Sequence, residues 1–425
     1  MENRYAPIHR WVPWIAGFSG QFVEDVFREF LSDKKLPRRP VILDPFAGVG
    51  TTLVQAMLNG HEAIGFEINP YAALATRMKV KAARICPSKI SQLIDTVTAS
   101  SLKWNDNTPP TTKYRPTEFR SRIPFFSARI EPQILRLLEL VETYPDKDIS
   151  DVGRLALGSV LVKVSNYTYE PSLSSRPGAG KPLLDDADVP GVLNKKLEDI
   201  LEDVQWLKFN GVGGEPDVRR EIHTKDFLSV NGELPNQSVD LMITSPPYMN
   251  NYHYVRNTRP QLFWLALVSS VRDLQSLEQT NFGKYWQTVR DIDPIPLTCR
   301  HAGLKETIET LKGTRTSAKA YGGPGWANYV TTYFNDCDRF MKVLKRVMRR
   351  GAFGVVVIGN SIIQGINIPT DRIMGDLAQD NGLRLEGITK LREKRVGASI
   401  TSSSIRRGEK NSSALYESVV ILRRS

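Results

Sequence analysis

Cysteine is scarce in this 425-residue chain: Cys86, Cys299 and Cys337 stand far apart and form no Cys-x-x-Cys pair. That excludes a zinc ribbon and a disulfide framework, so no metal site is expected, and it fits a reducing compartment. No run of about eighteen apolar residues occurs, so no membrane span is expected. Met1-Glu2-Asn3-Arg4-Tyr5 lacks the apolar stretch of a secretory signal, which predicts a cytoplasmic protein. Internal repeats are missing too. Positive charge is in excess, with 57 Lys and Arg against 46 Asp and Glu, a net +11. Such a balance favours a polyanionic partner, nucleic acid first. At 41% apolar residues the chain can build a sizeable core. Its length predicts two lobes, or one large α/β domain carrying insertions.

The pattern of apolar residues alternates between strand and helix. Phe22, Val23, Val26, Phe27 and Phe30 predict a helix over 17–31. Val41 to Leu43 reads as a buried strand, Thr51 to Asn59 as a helix closed by Gly60, Ala63 to Phe66 as a second strand and Asn69 to Lys81 as a second helix. This order implies a parallel sheet with right-handed crossovers. The alternation breaks at 86, where residues 86–125 are rich in Ser, Thr, Pro and Lys. Helices are predicted over Glu131–Glu142, Leu155–Val164 and Leu193–Leu207. The alternation resumes at Glu221, with a strand over Val239–Ile243. An irregular, aromatic-rich stretch follows from Met249 to about Trp326. A long helix (Tyr329–Arg349), a strand (Gly354–Ile358), a helix (Thr370–Asn381) and a last strand (Leu415–Leu422) close the chain. The expected division is 1–85, an insertion at 86–220, and 221–425 with a second insertion at about 249–326.

Two segments carry chemistry. Asp44-Pro45-Phe46-Ala47-Gly48-Val49-Gly50-Thr51-Thr52 follows the first strand. Its glycines allow a tight bend and close approach to a ligand. It is neither a GxGxxG fingerprint nor a P-loop, since no Gly-Lys-Ser/Thr follows. Asp44 suits a ligand with an ammonium group, which S-adenosylmethionine (SAM) has and ATP lacks. Glu67, at the end of the next strand, is placed to accept from both hydroxyls of a ribose. Asp226, read as the end of the third strand, would accept from an adenine amino group.

The second segment is Ser245-Pro246-Pro247-Tyr248, directly after Val239–Thr244. Two prolines fix the backbone and remove two amide donors, leaving carbonyl acceptors. Ser245 Oγ adds another, and Tyr248 offers a face for an extruded base. Such acceptors suit a planar amino group. Cys86 precedes Pro87 rather than following a proline, so the thiolate chemistry of pyrimidine-carbon methylation is not signalled. Asn251, Tyr252, Tyr254, Arg256 and Arg259 interleave amide, aromatic and basic side chains suited to base edges and stacking. Arg176 and Lys181, and a second basic stretch formed by Lys390 to Arg395 with Arg406, Arg407 and Lys410, suit phosphates.

These residues resemble the amino-methyltransferases that modify DNA at cytosine N4 or adenine N6, whose motifs read DPFxGxGTT and S/D/N-P-P-Y. The serine form resembles the cytosine-N4 branch. The resemblance implies an α/β, Rossmann-like seven-stranded SAM-dependent methyltransferase fold, with a largely helical insertion and an irregular loop-rich insertion. It implies SAM as cofactor, double-stranded DNA as partner, base flipping, and a prokaryotic restriction–modification setting with a cognate endonuclease. Phe18 and Ser19 occupy the place of a further SAM-contacting motif. Many cytosine-N4 members place the Pro-Pro-Tyr motif first, whereas here the glycine turn comes first. Adenine-N6 methylation, RNA base methylation and a non-catalytic nucleic-acid-binding module are the alternatives.

Overall fold

The computed structural model describes residues 2–14, 17–32, 37, 39–104, 111–169, 172–250, 252–313, 325–393 and 414–425. Its centre is a seven-stranded sheet: β1 (Val41–Asp44), β2 (Glu62–Phe66), β3 (Arg220–His223), β4 (Val239–Thr244), β5 (Met348–Gly359), β6 (Leu383–Glu393) and β7 (Tyr416–Arg424). Their spatial order is β6-β7-β5-β4-β1-β2-β3. β3, β2, β1, β4 and β5 pair in parallel, and β7 runs antiparallel to both β5 and β6. Every residue of β4 is buried, as a continuous apolar run in a parallel sheet covered on both faces requires.

Helices cover both faces. α1 (Gly20–Phe30) and α2 (Thr51–Leu58) pack on one face through Val23, Phe27 and Leu53, against Ile42, Leu241 and Val355. The other face meets the long helix Gly325–Val347 and the helix Thr370–Asp380, around Phe334, Phe340, Leu344 and Leu377. α3 (Pro70–Lys81) starts at an Asn69 cap with Pro70 in its first turn, as N-terminal signals dictate. α3 shares a core with the helices Pro87–Ser101, Ile130–Glu142, Lys147–Val160 and Val189–Asn210. The helix Tyr254–Trp264 adds Val255, Leu262 and Phe263 to that same core.

Two expectations change and one strand is added. Residues 86–125 contain the fifteen-residue helix Pro87–Ser101, whose apolar side, Ile90, Leu93 and Val97, lay hidden among Ser and Thr. The stretch after Met249 is not irregular: it holds helices at Tyr254–Trp264, Val271–Thr280 and Ala302–Lys312, and the long helix begins at Gly325. Pro260 disguised the first of these. A proline there forgoes only the bond to the carbonyl of Arg256, an exposed residue. Finally, the segment around Lys390 belongs to β6, an eleven-residue strand exposed along most of its length.

The reversed direction of β7 brings its first residues to the edge where the parallel strands end. Glu417 stands opposite Gly359 at the end of β5 and opposite Arg392 near the end of β6. Among the described residues no helix is long and apolar enough to cross a membrane.

Candidate active site

At the carboxyl edge of the sheet the chain encloses a cavity of about 290 Å³. Open α/β sheets bind ligands at this edge. The cavity is bounded by the turn after β1, the end of β2, the turn after β3, the segment after β4 and the start of β7.

The turn after β1 is built by its glycines. Gly48 and Gly50 adopt φ of +51° and +87°, conformations that cost a side chain about 1 kcal/mol or more. A Cβ on Gly50 would stand 2.8 Å from Thr76 Oγ1, and one on Gly48 3.4 Å from Trp14 Nε1. Thr76 Oγ1 donates to the Gly48 carbonyl at 2.8 Å and locks the turn onto α3. Phe46 forms an apolar wall, edge-on to Phe282 at 5.0 Å. Thr51 opens α2 and lines the cavity. Two residues named from the motif stand elsewhere: Thr52 is wholly buried in the first turn of α2, and Gly50 supports the turn without lining the cavity.

Glu67 lies across from Gly48. Its Oε2 accepts from Gly48 N–H at 2.9 Å and its Oε1 from Asn69 N–H at 2.7 Å. Asp44 is 3% exposed, and its Oδ1 accepts from Thr244 Oγ1 at 2.6 Å and from Phe46 N–H at 3.1 Å. Asp226 is not at a strand end: β3 stops at His223, and Asp226 caps a short turn by accepting from Leu228 N–H at 2.9 Å. It still faces the cavity beside Phe227.

Burial pushes the Glu67 carboxyl up to about 7, against the pull of its backbone donors, and nearby Asp44 adds to the rise. Burial likewise raises Asp44 to about 6. Both lie above the values of an unfolded chain. Between about pH 4 and pH 7 the folded protein therefore holds protons that the unfolded chain has released. These groups favour the fold at the acid end of that window, and the contribution is lost as pH rises through it. Without ligand, the melting temperature of the wild type should fall relative to Glu67→Gln from about pH 5 to pH 8. Parallel curves would contradict the assignment.

Ser245, Pro247 and Tyr248 line the cavity, and Pro246 is packed behind them. The Pro247 carbonyl accepts from Tyr333 OH at 3.0 Å. The Tyr248 hydroxyl is hydrogen-bonded to the Ser245 side chain and donates to Glu417 Oε1 at 3.0 Å. Glu417 is 6% exposed, and its Oε2 accepts from Arg392 Nε at 2.6 Å. Behind the ring lies Gly359, where a Cβ would meet Tyr248 at 3.3 Å and the Tyr416 carbonyl at 2.8 Å. The tyrosine of the motif is thus seated by the antiparallel strand.

Of the remaining candidates, Phe18, Tyr252 and Tyr254 line the cavity. Ser19 caps α1 through Phe22 N–H at 3.2 Å and faces an adjoining cleft instead. Arg256 is exposed on its helix. Arg259 lies over the Phe119 ring at 5.1 Å, away from the cavity. Arg176 donates to the Pro182 carbonyl at 2.8 Å, and neither it nor Lys181 reaches the cavity. Asn251, Arg395, Arg406, Arg407 and Lys410 lie outside the described residues. Sequence reasoning missed Phe282, Tyr333 and Glu417, whereas Trp14 opens the segment read as a further SAM-contacting motif and Arg392 lies in the basic stretch read as suited to phosphates. Of these only Glu417 left a signal, a carboxylate just ahead of the apolar run Val419–Leu422 of β7.

A family model described as DNA methylase, of the N6/N4 type, matches residues 22–77, which span the glycine turn and Glu67. The type II methyltransferase M.BsoBI of Geobacillus stearothermophilus is 23% identical over 99% of this chain and 86% of its own length. M.MvaI of Kocuria varians is 22% identical over 85% of this chain and 79% of its own. M.AvaI of Nostoc sp. is 24% identical over 92% of this chain and 82% of its own. Glycine turn, strand-end carboxylate and Ser-Pro-Pro-Tyr tip converge on one cavity, and the relatives extend over nearly the whole chain: it is similar to the N6/N4 DNA methylases in the glycine-turn region and to type II methyltransferases along most of its length.

Proposed function

We propose that the protein is a site-specific DNA methyltransferase that moves a methyl group from SAM to cytosine N4, on a base swung out of the duplex. The observation that carries this reading is one cavity shared by two elements far apart in sequence, the Gly48–Glu67 cradle and the Ser245–Tyr248 tip. A restriction–modification setting in a prokaryotic cytoplasm, with a partner endonuclease, is part of the proposal.

The residues present fit SAM. Gly48 lines the cavity without a side chain, and Phe46 with Phe227 offers apolar walls to a purine. Glu67 would hold the two ribose hydroxyls, Asp226 the adenine amino group and Asp44 the ammonium end. SAM, when bound, supplies an electrophilic methyl on a sulfonium.

The rest is done by the chain. Tyr248 stacks under the extruded base, its ring fixed by Glu417 and Gly359. Ser245 Oγ and the Pro246 carbonyl accept from the exocyclic amine. Those bonds orient the nitrogen lone pair toward the cradle. The serine-led form of the acceptor turn resembles the cytosine-N4 branch, and that resemblance favours cytosine N4 over adenine N6. The amine proton passes to solvent after transfer.

The test is incubation with methyl-labelled SAM and mixed-sequence duplex DNA, with structured and single-stranded RNA in parallel. Label in duplex DNA is expected. Label confined to RNA would overturn the proposal.

A further inference from the structure

We propose that Arg392 binds the backbone phosphate beside the extruded nucleotide, as a seat distinct from the base and cofactor contacts. The inference rests on the methyltransferase reading and names a substrate contact within that site.

Arg392 stands at a junction. It lines the cavity that holds Tyr248, and it also lines a larger adjoining cleft of about 930 Å³. Its side chain is 66% exposed. One nitrogen is committed: Nε donates to the buried Glu417 carboxylate at 2.6 Å. Among the described residues the two Nη groups meet no acceptor. An arginine held by its Nε, with its outer fork open, is preorganised for bidentate binding of a phosphate. A lysine at this place could not be aimed in that way.

The position selects which phosphate. Glu417 accepts from Arg392 through one oxygen and from the Tyr248 hydroxyl through the other. The guanidinium is therefore tied, through a single carboxylate, to the ring on which the base would lie. A base seated in the cavity leaves its own sugar and phosphates at the mouth, where the fork is. The adjoining cleft carries seven Lys and Arg against three carboxylates. Those carboxylates are paired: Glu2 with Arg4, Asp199 with Lys196 and Glu417 with Arg392. Lys163 is exposed in the same cleft and meets no acceptor among the described residues. A polyanion running along this cleft would pass over Arg392.

Duplex DNA binding is measured against salt for the wild type, Arg392→Gln and Arg392→Lys. Loss of one phosphate contact lowers the slope of log K against log salt by about 0.9. Arg392→Gln should show that decrease, with affinity at moderate salt falling roughly tenfold. Arg392→Lys should restore the slope. SAM affinity should be unchanged in both variants. A wild-type slope in Arg392→Gln would overturn the proposal. So would a loss of SAM affinity, which would assign Arg392 to the cofactor's carboxylate.

The phosphate is then located with duplexes carrying a neutral methylphosphonate beside the methylated base, once that base is mapped. The neutral linkage should weaken the wild type and cost Arg392→Gln nothing further. Additive losses would show that Arg392 contacts something else. If the wild type methylates no DNA, the functional reading fails; if it does and Arg392→Gln keeps its slope, only this inference fails.

Discussion

Ser245→Ala should lower the rate of methyl transfer to DNA by roughly 10²–10³-fold, the usual cost of removing one polar group that orients a reacting centre. Tyr248→Ala should fall as far or further. Stacking of a base on an aromatic ring is worth ~1–3 kcal/mol by alanine substitution, and the ring also positions what lies on it. SAM affinity should stay within about twofold in both variants, because the cradle at Gly48, Glu67 and Asp44 is built from β1, β2 and α3. Tyr248→Phe separates the ring from its anchor. It keeps the stacking face and loses the bond to Glu417, so its rate should lie between wild type and Tyr248→Ala. Single-turnover methylation and SAM titration calorimetry read the two effects apart. Near-normal turnover in Ser245→Ala and Tyr248→Ala would rule out the acceptor site.

The largest effect on stability should come from a residue outside the site. Asp203, on the helix Val189–Asn210, is 2% exposed. Its Oδ2 accepts from Ile8 N–H at 2.7 Å and from the Trp11 indole at 2.9 Å, and its Oδ1 from Arg10 Nη2 at 2.8 Å. One carboxylate therefore pins the N-terminal segment to the insertion. The segment is strained where it is pinned: Ile8, a β-branched residue, has φ of +67°, a conformation costing of order 1–3 kcal/mol. Asp203→Ala would leave two N–H donors and a guanidinium without their acceptor. Breaking a buried pair in this way costs about 3–5 kcal/mol. Glu202→Ala, which removes the exposed partner of the same arginine, should cost under about 1 kcal/mol. Thermal and denaturant melts compare the two, and equal small losses would show that Asp203 is not the anchor. The same segment leads to Trp14 and Phe18 at the cavity, so Asp203→Ala should also weaken SAM binding.

How much of the molecule is legible in its sequence depends on how local each feature is. The glycine turn and Ser-Pro-Pro-Tyr are each short and follow apolar strands, so within each motif neighbours in the chain are neighbours in space. The sheet is legible for the same reason wherever strands are buried on both faces, as in Val239–Thr244. β6 escaped because it is exposed and charged along most of its length, without the apolar run that marks a buried strand. The helix Tyr254–Trp264 escaped because Pro260 reads as a breaker. The partners of Tyr248 could not be read at all: Glu417 lies 169 residues away, brought there only because β7 runs antiparallel. Asp226 was expected on a strand that ends before reaching it, at His223, and it lines the cavity from the turn beyond.

The measurement that tests the central claim most directly is mass spectrometry of nucleosides from duplex DNA treated with the protein and SAM. N4-methylcytosine is the predicted product, absent when Ser245 and Tyr248 are both alanine. N6-methyladenine would contradict the assignment of the serine-led turn to cytosine. Unmodified DNA, from protein that binds SAM, would contradict the central claim itself.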